Sequence, residues 1–516
     1  MFEPVSAAPA SQIRRRSPDL SAEDHPPSEC FLSPSLRHLL SMYVVFNIGF
    51  YADHPLFKVS TQYLLLTPMH PLPIELWEEI FVHCLPNVNV LFGDACNSNV
   101  SVTPGVAPLL LCRVCKLWRQ ISIDLPYLWV SLPVFVSMGN SYPPPNFVRL
   151  WLARSGHLPL LLSLYQQNES DANCFVADEV LRVFGQHASR WYSIQLRLSR
   201  NARLPILESQ PTPMLETFKI QSVEVDALMG LTVVPRLLHI HVSHIPDLYL
   251  SGDNSFNVPW TQLTSLTLDS VSVESSIRIL CMCPNLGKCS YTIDTHHGAI
   301  LFQSVVHVML KSLIVRIGRN YLSTFLEHLT LPQLSQFTVY SDDMGEWPQD
   351  TFSCFLERSS CHLRRLEVYN AGMSSARFLA CVLHPGLQSL EELVIDDFGD
   401  WTKEPFVIDE ILTFLSCSSS LSITLFKKPF FCLLPHLEKL VLLNNRLVGR
   451  DGAFADMVGS RLRYASYVRG LKWLECELSV DHTEDHSRLH DLQRNGFLVR
   501  YATPTTLHYP RLFNLT

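Results

Sequence analysis

The sequence predicts an α/β protein in which a small helical domain precedes a solenoid of parallel strands. An apolar-x-x-apolar-x-apolar pattern recurs at similar spacing from Trp191 onward, and a fixed period of this kind is typical of stacked repeats. Before the repeats, the chain between Leu72 and Trp129 contains two short amphipathic helices whose apolar faces are large for their length. Such faces must be buried, either within their own domain or against another protein.

The composition indicates a folded intracellular protein. The chain has 516 residues, of which 47% are hydrophobic and 17% charged, enough for about three average domains or for one small domain plus an extended repeat. The net charge of −8 argues against nucleic acid or an anionic membrane as the main partner, since both attract basic surfaces. Fifteen scattered cysteines favour reduced thiols and a cytoplasmic or nuclear location.

The first 69 residues carry no recognisable motif. Residues 1–37 are rich in Ser, Pro and charge and are expected to be disordered. Residues 38–69 are apolar without clear periodicity, and the sequence assigns them no structure. The apolar run from Leu39 to Ala52 is shorter than the ~20 residues that cross a bilayer, and no signal peptide is visible, so no membrane partner is expected.

The helical domain is predicted at residues 70–132. Helix one places its apolar residues on one face, and these are Leu76, Trp77, Ile80, Phe81 and Cys84. Helix two is predicted to do the same with Leu110, Val114, Leu117, Trp118 and Ile121. Pro73 suits the first turn of helix one, where its missing N–H costs nothing. A long loop, Pro86 to Ala107, separates the helices.

The repeats are predicted at residues 191–501, after a connector (133–190) and before a tail (502–516). The pattern, which is the strand half of a leucine-rich repeat, matches at Trp191/Ile194/Leu196, Leu215/Phe218/Ile220, Leu237/Ile240/Val242, Leu263/Leu266/Leu268, Leu286/Cys289/Tyr291, Leu310/Leu313/Val315, Leu334/Phe337/Val339, Leu363/Leu366/Val368, Leu390/Leu393/Ile395, Leu437/Leu440/Leu442 and Leu471/Leu474/Cys476. Most spacings fall in or near the roughly 20–29 residues of such repeats. The gap of 47 residues from Leu390 to Leu437 predicts one hidden degenerate unit near Leu421.

The positions of prolines and of predicted short helices support the same spacing of the repeat strands. Five prolines lie two residues before the first Leu of a match, at Pro213, Pro235, Pro284, Pro332 and Pro435, where a proline ends a helix and starts an extended segment. Short apolar helices are predicted between strands, at Ile277–Met282, Tyr321–Leu329, Ala376–Leu383 and Ile408–Leu415. Only the Leu437 unit has the consensus Asn, at Asn445, so the solenoid is expected to be irregular.

The strand residues that alternate with the apolar pattern are candidates for binding a protein target. They are varied and polar, and they comprise Lys219, Gln221, His239, His241, Thr267, Gln336, Tyr340, Arg365, Glu367 and Glu392. Solenoids present such residues on an extended surface. The alternative is a solvated face without a partner.

The sequence offers no catalytic constellation, and we expect no enzyme activity, cofactor or metal. Phosphate-binding loops, nucleophile elbows and His-Glu-x-x-His are absent from it. Cys112-x-x-Cys115 has redox or zinc spacing but lies on an amphipathic helix, so both cysteines are interpreted as structural, as is Cys281-x-Cys283. His482, His486 and His490 share one predicted helix face, and they are interpreted as a surface feature rather than a metal site.

Several motifs resemble an F-box. These are Leu72-Pro73-x-Glu75-x-x-x-x-Ile80-Phe81, Leu85-Pro86, Val114-Cys115-x-x-Trp118-Arg119 and Leu125-Pro126-x-Leu128-Trp129. Together with the Trp151-to-Gly156 segment and the degenerate repeats, this order is similar to the F-box-like proteins of mushroom-forming fungi. The family's link between the first two helices is compact, whereas the present loop is long. A charged stretch that often precedes the F-box is replaced here by the aromatic segment 42–69.

The resemblance implies a function in protein degradation. In that family the F-box docks on the Skp adaptor of a cullin–RING ubiquitin ligase, and the repeats hold the substrate. The matching adaptor contacts would be Leu72, Pro73, Leu76, Ile80, Phe81, Leu85, Pro86, Val114, Cys115 and Trp118. Each of these residues has an alternative role in packing the helix pair internally.

The sequence therefore predicts a non-catalytic substrate receptor that is monomeric apart from the ligase complex. Its partners would be a Skp-type adaptor, through it a cullin, and an unidentified protein target. A scaffold without a ligase role, in which the helix pair caps the N-terminal end of the solenoid, is the rival interpretation. A metal enzyme that uses His482, His486 and His490 is a remote third.

Overall fold

A computed structural model describes most of the chain from residue 72 onward. The described ranges are 72–86, 102–198, 211–221, 234–243, 258–295, 304–318, 321–341, 346–370, 372–396, 409–417, 432–443, 449–464, 468–478 and 481–502. The chain divides into units of residues 1–72 and 73–516. The predictions for residues 1–37 and 38–69, for most of the inter-helix loop (87–101) and of the tail (503–516), and for Asn445 lie outside these ranges.

The described residues form a mixed α/β structure with a large, mostly parallel sheet of fifteen strands. Twelve α-helices occur within them. They are α1 (Ile74–His83), α2 (Leu111–Val114), α3 (Lys116–Asp124), α4 (Pro145–Arg154), α5 (Asp171–Gly185), α6 (Val273–Met282), α7 (Tyr321–Glu327), α8 (Gln349–Ser359), α9 (Ser375–Leu383), α10 (Asp409–Leu415), α11 (Ala453–Arg463) and α12 (Thr483–Arg494).

The strands follow one another across the sheet almost in chain order. They are β1 (Ser131–Ser137), β2 (Asn140–Tyr142), β3 (Leu160–Gln166), β4 (Trp191–Arg197), β5 (Thr217–Gln221), β6 (His239–Val242), β7 (Ser265–Ser272), β8 (Lys288–Thr295), β9 (Val305–Val306), β10 (Ser312–Ile317), β11 (Leu329–Thr330), β12 (Gln336–Ser341), β13 (Arg365–Tyr369), β14 (Glu392–Asp396), β15 (Lys439–Leu443), β16 (Trp473–Glu477) and β17 (Leu498–Ala502). The sheet order is β2-β1-β3-β4-β5-β6-β7-β8-β10-β12-β13-β14-β15-β16-β17, and β9 pairs separately with β11. The β1–β2 pair is antiparallel.

The eleven predicted strands are confirmed, and their apolar positions form one continuous ladder. No residue of the eleven matches is more than 3% exposed. Equivalent positions pair directly, so that Leu313 lies between Cys289 and Phe337 in the sheet. This register stacks the buried face of each strand on that of its neighbours, and a single core runs from the helix pair to the last strand.

The repeat prediction was wrong in one respect. Strand β14 pairs directly with β15, Leu393 opposite Leu440, so no strand of a hidden unit stands between them. Leu421 itself lies outside the described residues. The extra length between these strands is accommodated in the connection and adds no rung to the ladder.

The sheet is also longer than the predicted repeat region. The expected connector, 133–190, contains most of β1 and all of β3, with α4 and α5 between β1 and β4. Strand β3 pairs in parallel with both β1 and β4. At the C-terminal end of the predicted repeat region, one strand outside the eleven matches, β17, pairs in parallel with β16.

Each of the five phased prolines occupies the second position of a tight turn. The backbone N–H of the first Leu of the match donates to the carbonyl three residues earlier, which precedes the proline, as in Leu215 N to Thr212 O at 3.2 Å and Leu334 N to Leu331 O at 3.2 Å. Proline favours this position because its fixed φ matches the turn. The prolines therefore set the angle at which the chain enters each strand.

The predicted short helices are observed as α6, α7, α9 and α10, with small shifts at their ends. Successive helices pack on one another, α6 on α7, α7 on α8 and α8 on α9, and then α10 on α11 and α11 on α12. Among the helices described, none combines the length and apolar composition needed to cross a membrane.

A substitution within the ladder tests its contribution to stability. Leu313→Ala leaves a cavity between Cys289 and Phe337 and is expected to lower the free energy of unfolding by about 2–5 kcal/mol. The matched control is Leu383→Ala on α9, whose side chain is exposed and should change stability little. Urea denaturation followed by circular dichroism measures both, and equal losses would contradict the buried ladder.

Candidate functional site

The helix pair is held together by three aromatic rings. Trp118 of α3 contacts Trp77 and Phe81 of α1, with ring centroids 5.2 and 5.0 Å apart. Phe81 is fully buried and Trp118 is 9% exposed. These rings are the internal core of the pair, and such tilted and edge-to-face contacts add stability beyond the area they bury.

Helix two was predicted as one continuous helix, and that prediction was wrong. Cys115 is extended, with φ −154° and ψ 174°, and it separates α2 from α3. Its Sγ accepts a hydrogen bond from the backbone N–H of Trp118 at 3.4 Å, so Cys115 caps α3. Cys115 was predicted within the helix, whereas the structure places it, exposed, at the start of α3.

The apolar residues that are buried around Cys115 differ from those predicted. Val114 and Leu117 were predicted on the buried face with Trp118, but both are exposed, Leu117 by 53%. Leu111 is buried instead. The extended residue Cys115 puts Val114 out of phase with Trp118, whereas Leu117 lies in the same helix as Trp118, about 100° around its axis.

The ten predicted adaptor contacts divide by exposure. Five are exposed, and these are Leu72, Pro73, Leu76, Val114 and Cys115. Ile80, Leu85 and Pro86 are partly exposed, whereas Phe81 and Trp118 are buried. For Phe81 and Trp118 the internal-packing alternative therefore holds. Leu76 is 50% exposed although its neighbour Trp77 is buried.

Sequence periodicity missed further exposed apolar residues near the helix pair. Ile74 and Tyr127 are both more than half exposed. Tyr127 lies in a short 3-10 turn, Pro126–Trp129, where a helical period does not apply. Pro126 is the sequence signal that a new, short turn begins here, because proline readily occupies the first position of such turns.

The helix pair is continuous with the first strands. The Trp129 indole N–H donates to the Ser122 carbonyl at 2.7 Å. The same ring makes an edge contact with Trp151 of α4 at 4.8 Å and lies under the Arg154 guanidinium at 4.5 Å. The helices, α4 and the first strands thus share one core, and the segment from Trp151 to Gly156 belongs to that junction.

All ten candidate target-binding residues lie on strands at positions that alternate with the buried ladder. The structure brings them together in two groups. Lys219, Gln221, His239, His241 and Thr267 lie on β5–β7, and Gln336, Tyr340, Arg365, Glu367 and Glu392 lie on β12–β14. Strands β8 and β10 separate the two groups. We call this surface the ladder-opposite face.

The second group is a charged network. The Arg365 guanidinium donates to Glu392 Oε2 at 2.7 Å and lies 3.2 Å from Glu367 Oε1, and Lys439 Nζ lies 3.6 Å from Glu392. Burial alone would lower the pKa of Arg365, but Glu392 and Glu367 outweigh it and raise that pKa. The network fixes these side chains in defined positions.

Some outward side chains on the strands stack on one another, and the sequence predicted only Tyr340 among them. Tyr340 and Tyr369 stack with centroids 4.5 Å apart, and Arg316 lies over Tyr340 at 5.6 Å. Burial, followed by the Glu367 carboxylate, raises the pKa of Tyr369 and of Tyr340, so both phenols remain protonated donors at neutral pH.

A similar stack occurs near the start of the sheet, on β1, β3 and β4. Phe135 stacks on Tyr165 at 5.1 Å, and Arg197 lies over Tyr165 at 4.8 Å. In the sequence, each of these stacked residues directly follows the last apolar position of its strand pattern, as Arg197 follows Leu196. This position is the signal that could have identified them. The ladder-opposite face thus presents rigid aromatic and cationic groups as well as charges.

The three histidines predicted on one helix face do not form a ligand set. His482 precedes α12 and is buried, whereas His490 is exposed. Within the described ranges, the metal-ligating atoms that cluster belong to Asp451, His482 and Asp485. The Asp451 carboxylate accepts the N–H groups of Glu484 and Asp485 at 2.9–3.0 Å, which caps α12. Asp485 accepts the Ala455 N–H at 2.8 Å.

No family model matches this chain in comparisons with known proteins, and no curated protein matches it.

Two neighbouring substitutions test the division between internal and exposed residues. Trp118→Ala should lower the free energy of unfolding by about 3–5 kcal/mol, because it empties the space between Trp77 and Phe81. Leu117→Ala, one residue away, should change stability by less than about 1 kcal/mol. Thermal or urea unfolding of both variants gives the comparison. A large loss with Leu117→Ala and a small one with Trp118→Ala would reverse the assignment.

Proposed function

We propose that this chain is the non-catalytic substrate receptor of a Skp–cullin–F-box type ubiquitin ligase. In this proposal α1 to α3 are the F-box, which docks on a Skp-type adaptor, and the sheet is an irregular leucine-rich-repeat solenoid whose ladder-opposite face holds a target protein. The receptor brings the target close to the enzyme that donates ubiquitin, and proximity raises the effective concentration of the reacting groups.

The observation that carries the proposal is the apolar surface left on the helix pair. Leu76, Val114 and Leu117 are exposed although two of them directly precede buried tryptophans. The internal core of Trp77, Phe81 and Trp118 holds the helices rigidly. Exposed aliphatic residues on a well-packed helix pair support a docking role, because a partner that covers them removes apolar surface from water.

The ladder-opposite face suits a protein target. It offers charges held by the Arg365–Glu392–Lys439 network and stacked groups such as Tyr340 and Tyr369. Tyrosine and arginine are the side chains that most often dominate protein interfaces. Charges of both signs on this face favour a polar protein surface over a uniformly charged polymer such as nucleic acid.

The alternative function is a leucine-rich-repeat scaffold without a ligase role, in which the helix pair caps the sheet. The shared core at Trp129, Trp151 and Ser122 favours it, because terminal repeats need a cover for their open apolar end. The exposed residues of α1 to α3 distinguish the two, since a cap needs no apolar residues on its outer surface.

Adaptor binding tests the F-box assignment. A double variant, Leu76→Asp with Val114→Asp, should weaken binding to a purified Skp-type adaptor by at least about tenfold, or ~1.4 kcal/mol, because it places charges within an apolar interface. Both positions are exposed, so the melting temperature should stay unchanged. Isothermal titration calorimetry or a quantitative pull-down measures the loss.

The matched control is Leu383→Asp, an exposed leucine on α9, which should bind the adaptor as the wild type does. A wild-type chain that does not bind the adaptor would favour the scaffold alternative. Equal affinity of the double variant and the wild type would remove α1 to α3 from the interface.

Target binding is tested separately. Co-purifying proteins other than the adaptor and cullin should be lost with Tyr340→Ala and Arg365→Ala together, because this pair removes the stacked ring and the centre of the charge network, whereas the adaptor should be retained. The variant with Leu76→Asp and Val114→Asp should show the reverse, retaining those targets and losing the adaptor. Quantitative mass spectrometry of the three samples compares them, and unchanged recovery from the face variant would contradict a target site there.

A further inference from the structure

Two cysteines at the connection between β14 and β15 lie in contact. Cys417 follows α10, and Cys432 precedes the turn that leads to β15. Their Sγ atoms are 2.7 Å apart, whereas the sulfurs of a disulfide are ~2.05 Å apart. The two residues are 15 positions apart in sequence, so tertiary structure brings them together.

A buried cation holds both cysteine segments in place. Arg461 of α11 is fully buried, and its guanidinium donates to the carbonyls of Leu415, Leu433 and Leu434. One of these carbonyls lies two residues before Cys417, and the others follow Cys432 directly. The Cys417 backbone N–H also donates to Ser460 Oγ at 3.0 Å. The pair is therefore pre-organised by α11.

The same guanidinium provides the electrostatics that thiol chemistry needs. Among the described residues no carboxylate pairs with Arg461, so its charge acts on the nearby sulfurs. The hydrogen bond with Cys417 lowers the pKa of Cys432; burial opposes this shift, and the Arg461 charge supports it. The hydrogen bond and burial raise the pKa of Cys417. Thiolates beside arginine are the reactive form of cysteine.

The two thiols also differ in access. Cys417 is 4% exposed, and Cys432 is partly exposed. Cys289 and Cys381 are buried, and burial raises their pKa, whereas Cys281 and Cys354 are exposed. The pair therefore combines an accessible thiol with a protected one, the usual division between attacking and resolving cysteines.

We propose that Cys417 and Cys432 are an oxidisable dithiol that a low-molecular-weight disulfide, such as oxidised glutathione, converts into an intramolecular disulfide. The Cys432 thiolate attacks one sulfur of oxidised glutathione, which forms a mixed disulfide and releases one glutathione thiolate. Cys417 loses its proton to solvent and attacks the Cys432 sulfur, which releases the second glutathione. Two protein thiols are oxidised and one glutathione disulfide is reduced to two thiols.

The modification would join the segment that follows α10 covalently to the segment that precedes β15. Disulfides in intracellular proteins are usually transient and report redox state, and dithiothreitol should reverse this one. The cross-link closes the chain between residues 417 and 432, so it restricts the unfolded state and should raise the melting temperature of the oxidised protein. This inference is independent of adaptor and target binding.

Peptide mapping of the full-length chain tests the proposal. After incubation with oxidised glutathione, non-reducing mass spectrometry should find Cys417 and Cys432 in one cross-linked species with the loss of two hydrogens. In Cys417→Ser the glutathione adduct on Cys432 should accumulate severalfold, because the resolving thiol is missing. In Cys432→Ser neither the cross-link nor an adduct at Cys417 should form.

The control is Cys354→Ser, an exposed cysteine on α8, which should leave the cross-link unchanged. If a variant does not fold, the peptide map of the oxidised wild-type chain tests the proposal on its own. Adducts on Cys432 that persist without a cross-link, or cross-links that form elsewhere while these two cysteines stay reduced, would overturn the proposal.

Discussion

The register of the buried ladder is the constraint on which the rest of the structure depends. A strand of five residues with one apolar face has no means of burying that face alone. Its neighbours supply the cover only if equivalent positions pair, as Leu366 does with Phe337 and Leu393. A slip of one residue would turn the whole apolar set to the opposite face. The outward positions are thus placed by the same register that builds the core.

The helix pair obeys a different rule. Its core consists of three rings, and a single extended residue, Cys115, sets the phase of the residues before it. Without this break, Val114 would continue the face that carries Trp118. Within α3, Trp118 is buried and Leu117, about 100° around the helix axis, is exposed. The same short segment therefore provides both the internal core of the pair and its exposed aliphatic residues.

The repeat strands could be predicted because their signal is periodic and local. The first strand is absent from the prediction although Trp129, Leu132 and Val134 fit the same template, since the predicted boundary between the helical domain and the connector, at residue 132, falls within it. Strand β3 has Pro159 at the first template position, which hides it. The break at Cys115 could not be predicted from periodicity, because a cysteine is compatible with a helix and its capping role depends on a contact with the Trp118 N–H. The Cys417–Cys432 contact and its arginine depend on tertiary structure alone.

The direct pairing of β14 with β15 has a consequence for how such a chain can vary. The two strands are adjacent although their repeat is 47 residues long, about twice the spacing elsewhere. Strand adjacency thus tolerates a long intervening chain, because the entropy cost of closing a loop grows only slowly with its length. A gene can therefore gain or lose residues outside the strands while the order of the ladder is preserved. The connections between strands are the part of this architecture most open to evolutionary innovation.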